Sequence, residues 1–162
     1  MASTSYLARV IYKTHGSSQT NLAGTYNLML AAKSIPAPMN APNTVESTTF
    51  EDDTQTFEMG VKQSGAKEIT GNLDKSYLDA LNTAAGTECD IIHLYGNDGV
   101  GGVAKYAYVG EFVVTPNDVS GVDSIIEMTA TVVPNTVPEL ITDNYTVTAN
   151  NDGTFTVAVK NS

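Results

Sequence analysis

Glu46, Glu51, Asp52, Asp53 and Glu58 set five carboxylates close together with no base among them. Hard cations such as Ca²⁺ bind where several oxygens converge. The calcium-loop spacing D-x-D-x-D-G with a glutamate at the twelfth place is absent, so the run reads as a solvated acidic loop and no metal is expected. The residues capable of nucleophilic or acid/base chemistry are equally sparse. His15 lies in a polar segment, and His93 lies inside an apolar run, where a packed histidine is the commoner outcome. No G-x-S-x-G elbow and no H-E-x-x-H pair occurs. Glu111 and Glu127 form an acid/base pair only if folding brings them together. Gly96-Asn97-Asp98-Gly99-Val100-Gly101-Gly102 is rich in glycine but lacks the G-K-[ST] ending of a phosphate loop, and tyrosine-bearing strands flank it, so it reads as a hairpin turn. Cys89 is the only cysteine and reads as a small buried hydrophobe in a reducing compartment. Neither an enzyme nor a cofactor is expected.

The elements that position these residues are mostly strands. With 21 Thr, 16 Val and 8 Tyr, the 162-residue chain is rich in β-branched and aromatic side chains that fit a pleated surface. Residues 24–34 read as one strand ending at Ile35-Pro36, because the residue before a proline is pushed toward extended or turn geometry. From 36 to 58 no period is sustained, which predicts a long loop with an extended hairpin near its end. Residues 66–73 alternate, with Ile69 and Leu73 on one face and Glu68, Thr70 and Asn72 on the other. Residues 74–86 change to helical spacing: Asp74 caps, Leu78, Leu81 and Ala85 share a face, and Gly86 stops the helix.

Strands follow at 89–96 and 103–115, joined by the glycine-rich turn. The second places Ala104, Tyr106, Tyr108, Phe112 and Val114 on one face, and Lys105 and Glu111 on the other. A strand over 124–133 turns Ile126, Met128, Ala130 and Val132 inward and Glu127, Thr129 and Thr131 outward. Residues 139–162 read as a C-terminal hairpin extension, turning at Asn150-Asn151-Asp152-Gly153, on a body formed by residues 1–138.

Net charge is −10 and the pI is about 4.3, which argues against a protein that grips nucleic acid. The charge is uneven: residues 1–45 carry Arg9, Lys13 and Lys33 and no acid, and all 18 acids follow. A weakly basic arm ahead of an acidic body can draw copies together head to tail. No run is long and apolar enough for a membrane helix, and the N-terminal segment lacks the apolar block of a secretory signal. A soluble chain that stays where it is made, with no membrane partner, is expected.

Thr49, Asp52-Asp53, Phe57, Gly60 and Ser64-Gly65, followed by the strand with Ile69 and Leu73 and the later strands through Val132-Val133-Pro134-Asn135-Thr136, carry a resemblance. Over roughly residues 25–136 the chain resembles the major tail tube proteins of long-tailed, siphovirus-type bacteriophages. The resemblance implies a mainly β fold, a β-sandwich or open barrel flanked by one α-helix. It implies six copies in a ring, inner sheets joined into a lumen wall, and rings stacked into the tube through which DNA leaves the capsid. The chain is then a virion tail component made in the bacterial host cytoplasm. Its partners are copies of itself and tail proteins such as the tape measure and tail terminator, and DNA passes through the lumen without specific binding.

Within that frame residues 36–58 are an assembly loop, with Glu46, Glu51, Asp52, Asp53, Phe57 and Glu58 meeting the neighbouring subunit. Glu68, Thr70, Glu127, Thr129 and Thr131 face the lumen, as a wall that repels phosphate. Two alternatives are a ring protein of a related injection or secretion machine and a monomeric ligand-binding β-sandwich with Tyr95, Tyr106 and Tyr108 as a stacking platform.

Overall fold

A computed structural model describes residues 6–38, 44–60 and 65–160. Ser64 and residues 39–43 of the long loop lie outside the described residues. Twelve strands and one helix follow in chain order: β1 (Arg9–Thr14), β2 (Gly24–Leu28), β3 (Ala32–Ser34), β4 (Thr44–Glu46), β5 (Phe57–Met59), β6 (Lys67–Asn72), α1 (Lys75–Ala84), β7 (Cys89–Tyr95), β8 (Ala104–Pro116), β9 (Glu127–Pro134), β10 (Glu139–Leu140), β11 (Tyr145–Ala149) and β12 (Thr154–Val159). Ten strands form one curled antiparallel sheet in the order β11-β12-β2-β1-β7-β8-β9-β6-β3, with β10 added to β8. The mainly β architecture with one flanking helix is the expected one.

The middle of this sheet is covered on both sides, and β7 shows why. A strand points successive side chains to opposite faces, yet Cys89 through Leu94 are all buried. Cys89 and Ile91 join Val10, Tyr12 and Phe112 in one core, while Ile92 and Leu94 join Ile11, Tyr26 and Phe155 in a second. Helix α1 closes the first core. Asp74 caps it by accepting from Ser76 N at 2.9 Å, and Leu81 is buried with Tyr77, Leu78 and Ala84 packed beside it. Burial on this scale contributes about 1.5–3 kcal/mol per large apolar side chain.

The C-terminal hairpin β11–β12 closes the second core. It is joined to the body rather than hung from it: β12 pairs with β2, setting Phe155 opposite Tyr26, and Val147, Phe155 and Val157 are core residues. Two expectations are corrected. Residues 24–34 are two strands, because Met29 and Leu30 both turn into the first core and the chain crosses to β6. That crossing is close, since a Cβ on Gly71 would lie 2.4 Å from the Ala31 carbonyl oxygen. The basic segment is no arm either, because β1 pairs with both β2 and β7 near the centre of the sheet. Arg9 donates to the Gly99 carbonyl at 3.1 Å and lies over the Phe155 ring, and Lys13 pairs with Asp90. Their cationic ends are occupied within the chain, where a strand with apolar Val10, Ile11 and Tyr12 on both faces placed them.

Candidate assembly surfaces

Beyond Gly110 one side of the sheet is left uncovered. The register sets Glu68 opposite Thr131, Thr70 opposite Thr129 and Asn72 opposite Glu127 across β6 and β9. All five candidate lumen residues therefore share one face, while Ile69, Met128, Ala130 and Val132 between them are fully buried on the other. Ile126 departs from the expected inward row: it precedes β9 and is exposed. The Thr70 and Thr129 hydroxyls are 3.3 Å apart, and Thr129 Oγ1 donates to Asn117 Oδ1 at 2.6 Å. Lys33 on the edge strand approaches Glu127 at 3.8 Å.

Strand β8 adds to this face Glu111 together with Val113 and Thr115, the last two not singled out from the sequence. Val113 opposes Thr131, Thr115 opposes Thr129 and Glu111 opposes Val133; Val113 and Val133 are each about half exposed. The same face of β8 is covered earlier in the strand, where Ala107 packs in the second core with Ile141 and Val147. The signal available in sequence was the alternation of β8 itself, which put Lys105 and Glu111 together. It did not tell that a later segment buries the first and leaves the second open. Glu111 and Glu127 are no catalytic pair. Their register positions lie six residues apart along β9, roughly 20 Å at the rise of a strand.

The second surface is the hairpin β4–β5. Its register pairs Thr44 with Met59, Val45 with Glu58 and Glu46 with Phe57, so Phe57, Met59 and Glu46 share a face opposite Val45 and Glu58. Both faces are bare: Val45 is 56%, Phe57 57% and Met59 73% exposed. At the tip, Asp52 Oδ2 accepts from Thr49 N at 2.7 Å and Ser47 N donates to the Thr56 carbonyl at 2.9 Å, which shapes the turn. Glu51, Asp52 and Asp53 lie exposed there. The predicted hairpin within the long loop is present, and none of its large apolar side chains belongs to either core.

Two titratable groups away from these surfaces, His93 and Cys89, lie in the interior. His93 is fully buried, its Nε2 2.8 Å from the Tyr108 hydroxyl and its Nδ1 3.3 Å from that of Tyr95. Burial, with the Lys67 charge nearby, lowers its pKa to about 4, so the ring is neutral at pH 7. Burial raises the pKa of the Cys89 thiol and removes it as a nucleophile. Tyr108 is in the core, and Tyr95 meets Tyr106 edge to face at 6.3 Å, so the three tyrosines do not form a stacking platform. No group of three His, Cys, Asp or Glu suited to a metal occurs among the described residues. No helix among them is long and apolar enough to cross a membrane.

No family model and no curated protein matches the sequence. Among solved structures, the chain superposes on a chain of the cryo-EM structure of the anti-feeding prophage baseplate, six-fold symmetrised, with a TM-score of 0.60. The match covers 86% of this chain and 95% of that one at 9% identity. That likeness is one of fold.

Proposed function

We propose that this protein is a structural subunit of a phage-type tail or related injection apparatus, and that six copies close into rings that stack into a tube. The observation that carries the reading is the uncovered face of β6, β9 and β8. A sheet face bearing Glu68, Glu111, Glu127 and a row of threonines around half-exposed valines is acidic, with Lys33 its one cation among the described residues. Turned toward a bore, such a wall repels phosphate and offers it few donors, so DNA slides without adhering. The exposed apolar hairpin supports the same reading, because side chains of that size gain free energy once a neighbouring copy covers them. The solved neighbour belongs to the baseplate of a prophage-type assembly, which favours an injection apparatus as the setting. A head-to-tail contact between copies closes a ring when its rotation is a simple fraction of a turn.

Purified protein examined by negative-stain microscopy and sedimentation over a range of concentrations tests this. Rings or tubes with six-fold end views are expected as concentration rises. A species that sediments as a single chain at every concentration, with no rings on the grid, overturns the proposal.

A further inference from the structure

Alternation along β1, β7, β8, β9 and β6 leaves one ionised side chain on the face of these strands that holds the first core. That side chain is Lys67, in line with Ile69 and Gly71. It is 3% exposed, and its ammonium has no hydrogen bond or ion pair among the described residues. Burial lowers its pKa, because a charge taken out of water without a partner is costly. Burial and then the Lys67 charge lower the pKa of His93, so the ammonium lies near that ring. His93 Nδ1 in turn is 3.3 Å from the Tyr95 hydroxyl.

Tyr95 opens this interior onto the surface. With Tyr106, Ile35, Ala37 and Pro38 it lines a groove of about 510 Å³. The register of β10 sets Leu140, 58% exposed, on the groove side beside Tyr106, and turns Glu139 to the other face with Ala107. Other charged groups nearby are committed elsewhere. The Asp98 carboxylate accepts from Val100 N and Gly102 N, each at 3.1 Å, and Lys33 is turned to Glu127 on the uncovered face. The groove is therefore apolar, with a cation behind its tyrosine wall and, among the described residues, no free carboxylate on its side.

The hairpin β4–β5 has the complementary chemistry. Residues 44–59 carry five carboxylates and no base, and at the turn Phe50 is fully exposed beside Glu51, Asp52 and Asp53. Asp52 is held by Thr49, which leaves the carboxylates of Glu51 and Asp53 unbonded among the described residues. Within one chain this tip stands in solvent, so tip and groove are both unfilled. We propose that the groove receives the hairpin tip of a second copy, with Phe50 entering beside Tyr106 and Ile35 and its neighbouring acids set toward Lys67. Tip and groove are different surfaces, so the contact runs head to tail. This inference rests on the proposed self-assembly and names the surface that takes the hairpin.

Cross-linking on the full chain tests it. Chains bearing Phe50→Cys are mixed under mild oxidation with chains bearing Ala37→Cys and a size tag; both positions are exposed, and Cys89 is buried and does not compete. A mixed pair is expected on a non-reducing gel, about tenfold or more above a mixture of Phe50→Cys with tagged Lys75→Cys, because a disulfide forms only between closely approaching backbones. Lys75 is an exposed helix position. In a Lys67→Met background the yield should fall about fivefold or more, while the melting temperature of the unassembled subunit holds or rises, since the replaced charge had no partner. A mixed pair no more abundant than the control, an unchanged yield with Lys67→Met, or a melting temperature that drops overturns the inference. So does a chain bearing both Phe50→Cys and Ala37→Cys that closes on itself as a monomer. Tubes without the cross-link would sink this contact alone, and cross-linked pairs without rings the proposed ring alone.

Discussion

Thr70 and Thr129 stand directly opposite each other across β6 and β9, their hydroxyls 3.3 Å apart. They lie near the centre of a broad sheet face that, among the described residues, neither the helix nor the C-terminal hairpin covers. Around them the acids are spread out: Glu68 lies two positions toward the start of β6, and Glu127 two positions toward the start of β9. A face of this kind is cheap to expose as a monomer, and also suited to line a channel, because threonine hydroxyls satisfy one another locally and the carboxylates stay hydrated.

Reversing the charge of that face should convert a repelling wall into a binding one. Glu68→Lys with Glu127→Lys changes each copy by four charges, and each added phosphate contact steepens the salt dependence of DNA binding by nearly one unit of log–log slope. Neither side chain is in a core, so folding and assembly should be unaffected. Cosedimentation with short DNA at low salt is expected to show binding by the variant, abolished by raising salt, and none by the parent. In a complete phage or injection particle, ejection should slow or stall. Equal DNA binding by both proteins would refute the assignment of this face.

Removing the buried carboxylate should be costly. Asp90→Ala strands Lys13, His15 and Gln19, and breaking a largely buried pair by deleting one partner costs about 3 kcal/mol. For a chain of this size that lowers the melting temperature by roughly 6–12 °C. Calorimetry or a thermal melt at pH 7 reads it. A shift under a degree would mean that solvent replaces the network without loss.

The strand content, the helix with its Asp74 cap, and the alternation of β6 and β9 were all legible from residue types, because each depends on local period and capping chemistry. The break at Met29-Leu30 was not, since two adjacent apolar residues extend a strand as easily as they cross between two. The central place of β1 escaped for a related reason. Arg9, Lys13 and His15 look like surface charge until Gly99 and Asp90, distant in sequence, are brought to them. Of the candidate surfaces, the shared face of Glu68, Thr70, Glu127, Thr129 and Thr131 followed from alternation alone. The halves of β8 differ because Ala107 on the first packs in the second core with Ile141 and Val147, a contact that no local pattern encodes.

His93 makes stability depend on acid. Burial depresses its folded-state pKa to about 4, against an ordinary value near 6.5. Between those values the unfolded chain binds a proton that the folded chain does not, so this contribution to stability is full above pH 6.5 and is lost as pH falls toward 4. The loss is on the order of 3 kcal/mol. Denaturant titrations from pH 7 to pH 4 should show a smaller fall in a His93→Gln variant than in the parent, even if the variant starts less stable. Parallel pH profiles for the two proteins would contradict a neutral buried ring.

The hairpin offers the sharpest separation between folding and assembly. Phe57 and Met59 share one exposed face with Glu46 and lie outside both cores, so Phe57→Ser with Met59→Ser should leave the melting temperature of the unassembled subunit almost unchanged. If a neighbouring copy covers that face, each lost side chain weakens the contact by about 1.5–3 kcal/mol. In the proposed ring the contact recurs around the circumference, so the losses would multiply over copies. The concentration at which tubes appear should then rise at least a hundredfold. Replacing residues 44–59 with a short glycine-serine linker should yield a folded subunit that forms no tubes at all. Light scattering against concentration, with micrographs at each plateau, reads both variants. Tubes of parental length formed by the linker variant at the parental concentration would show that the hairpin has no part in holding copies together.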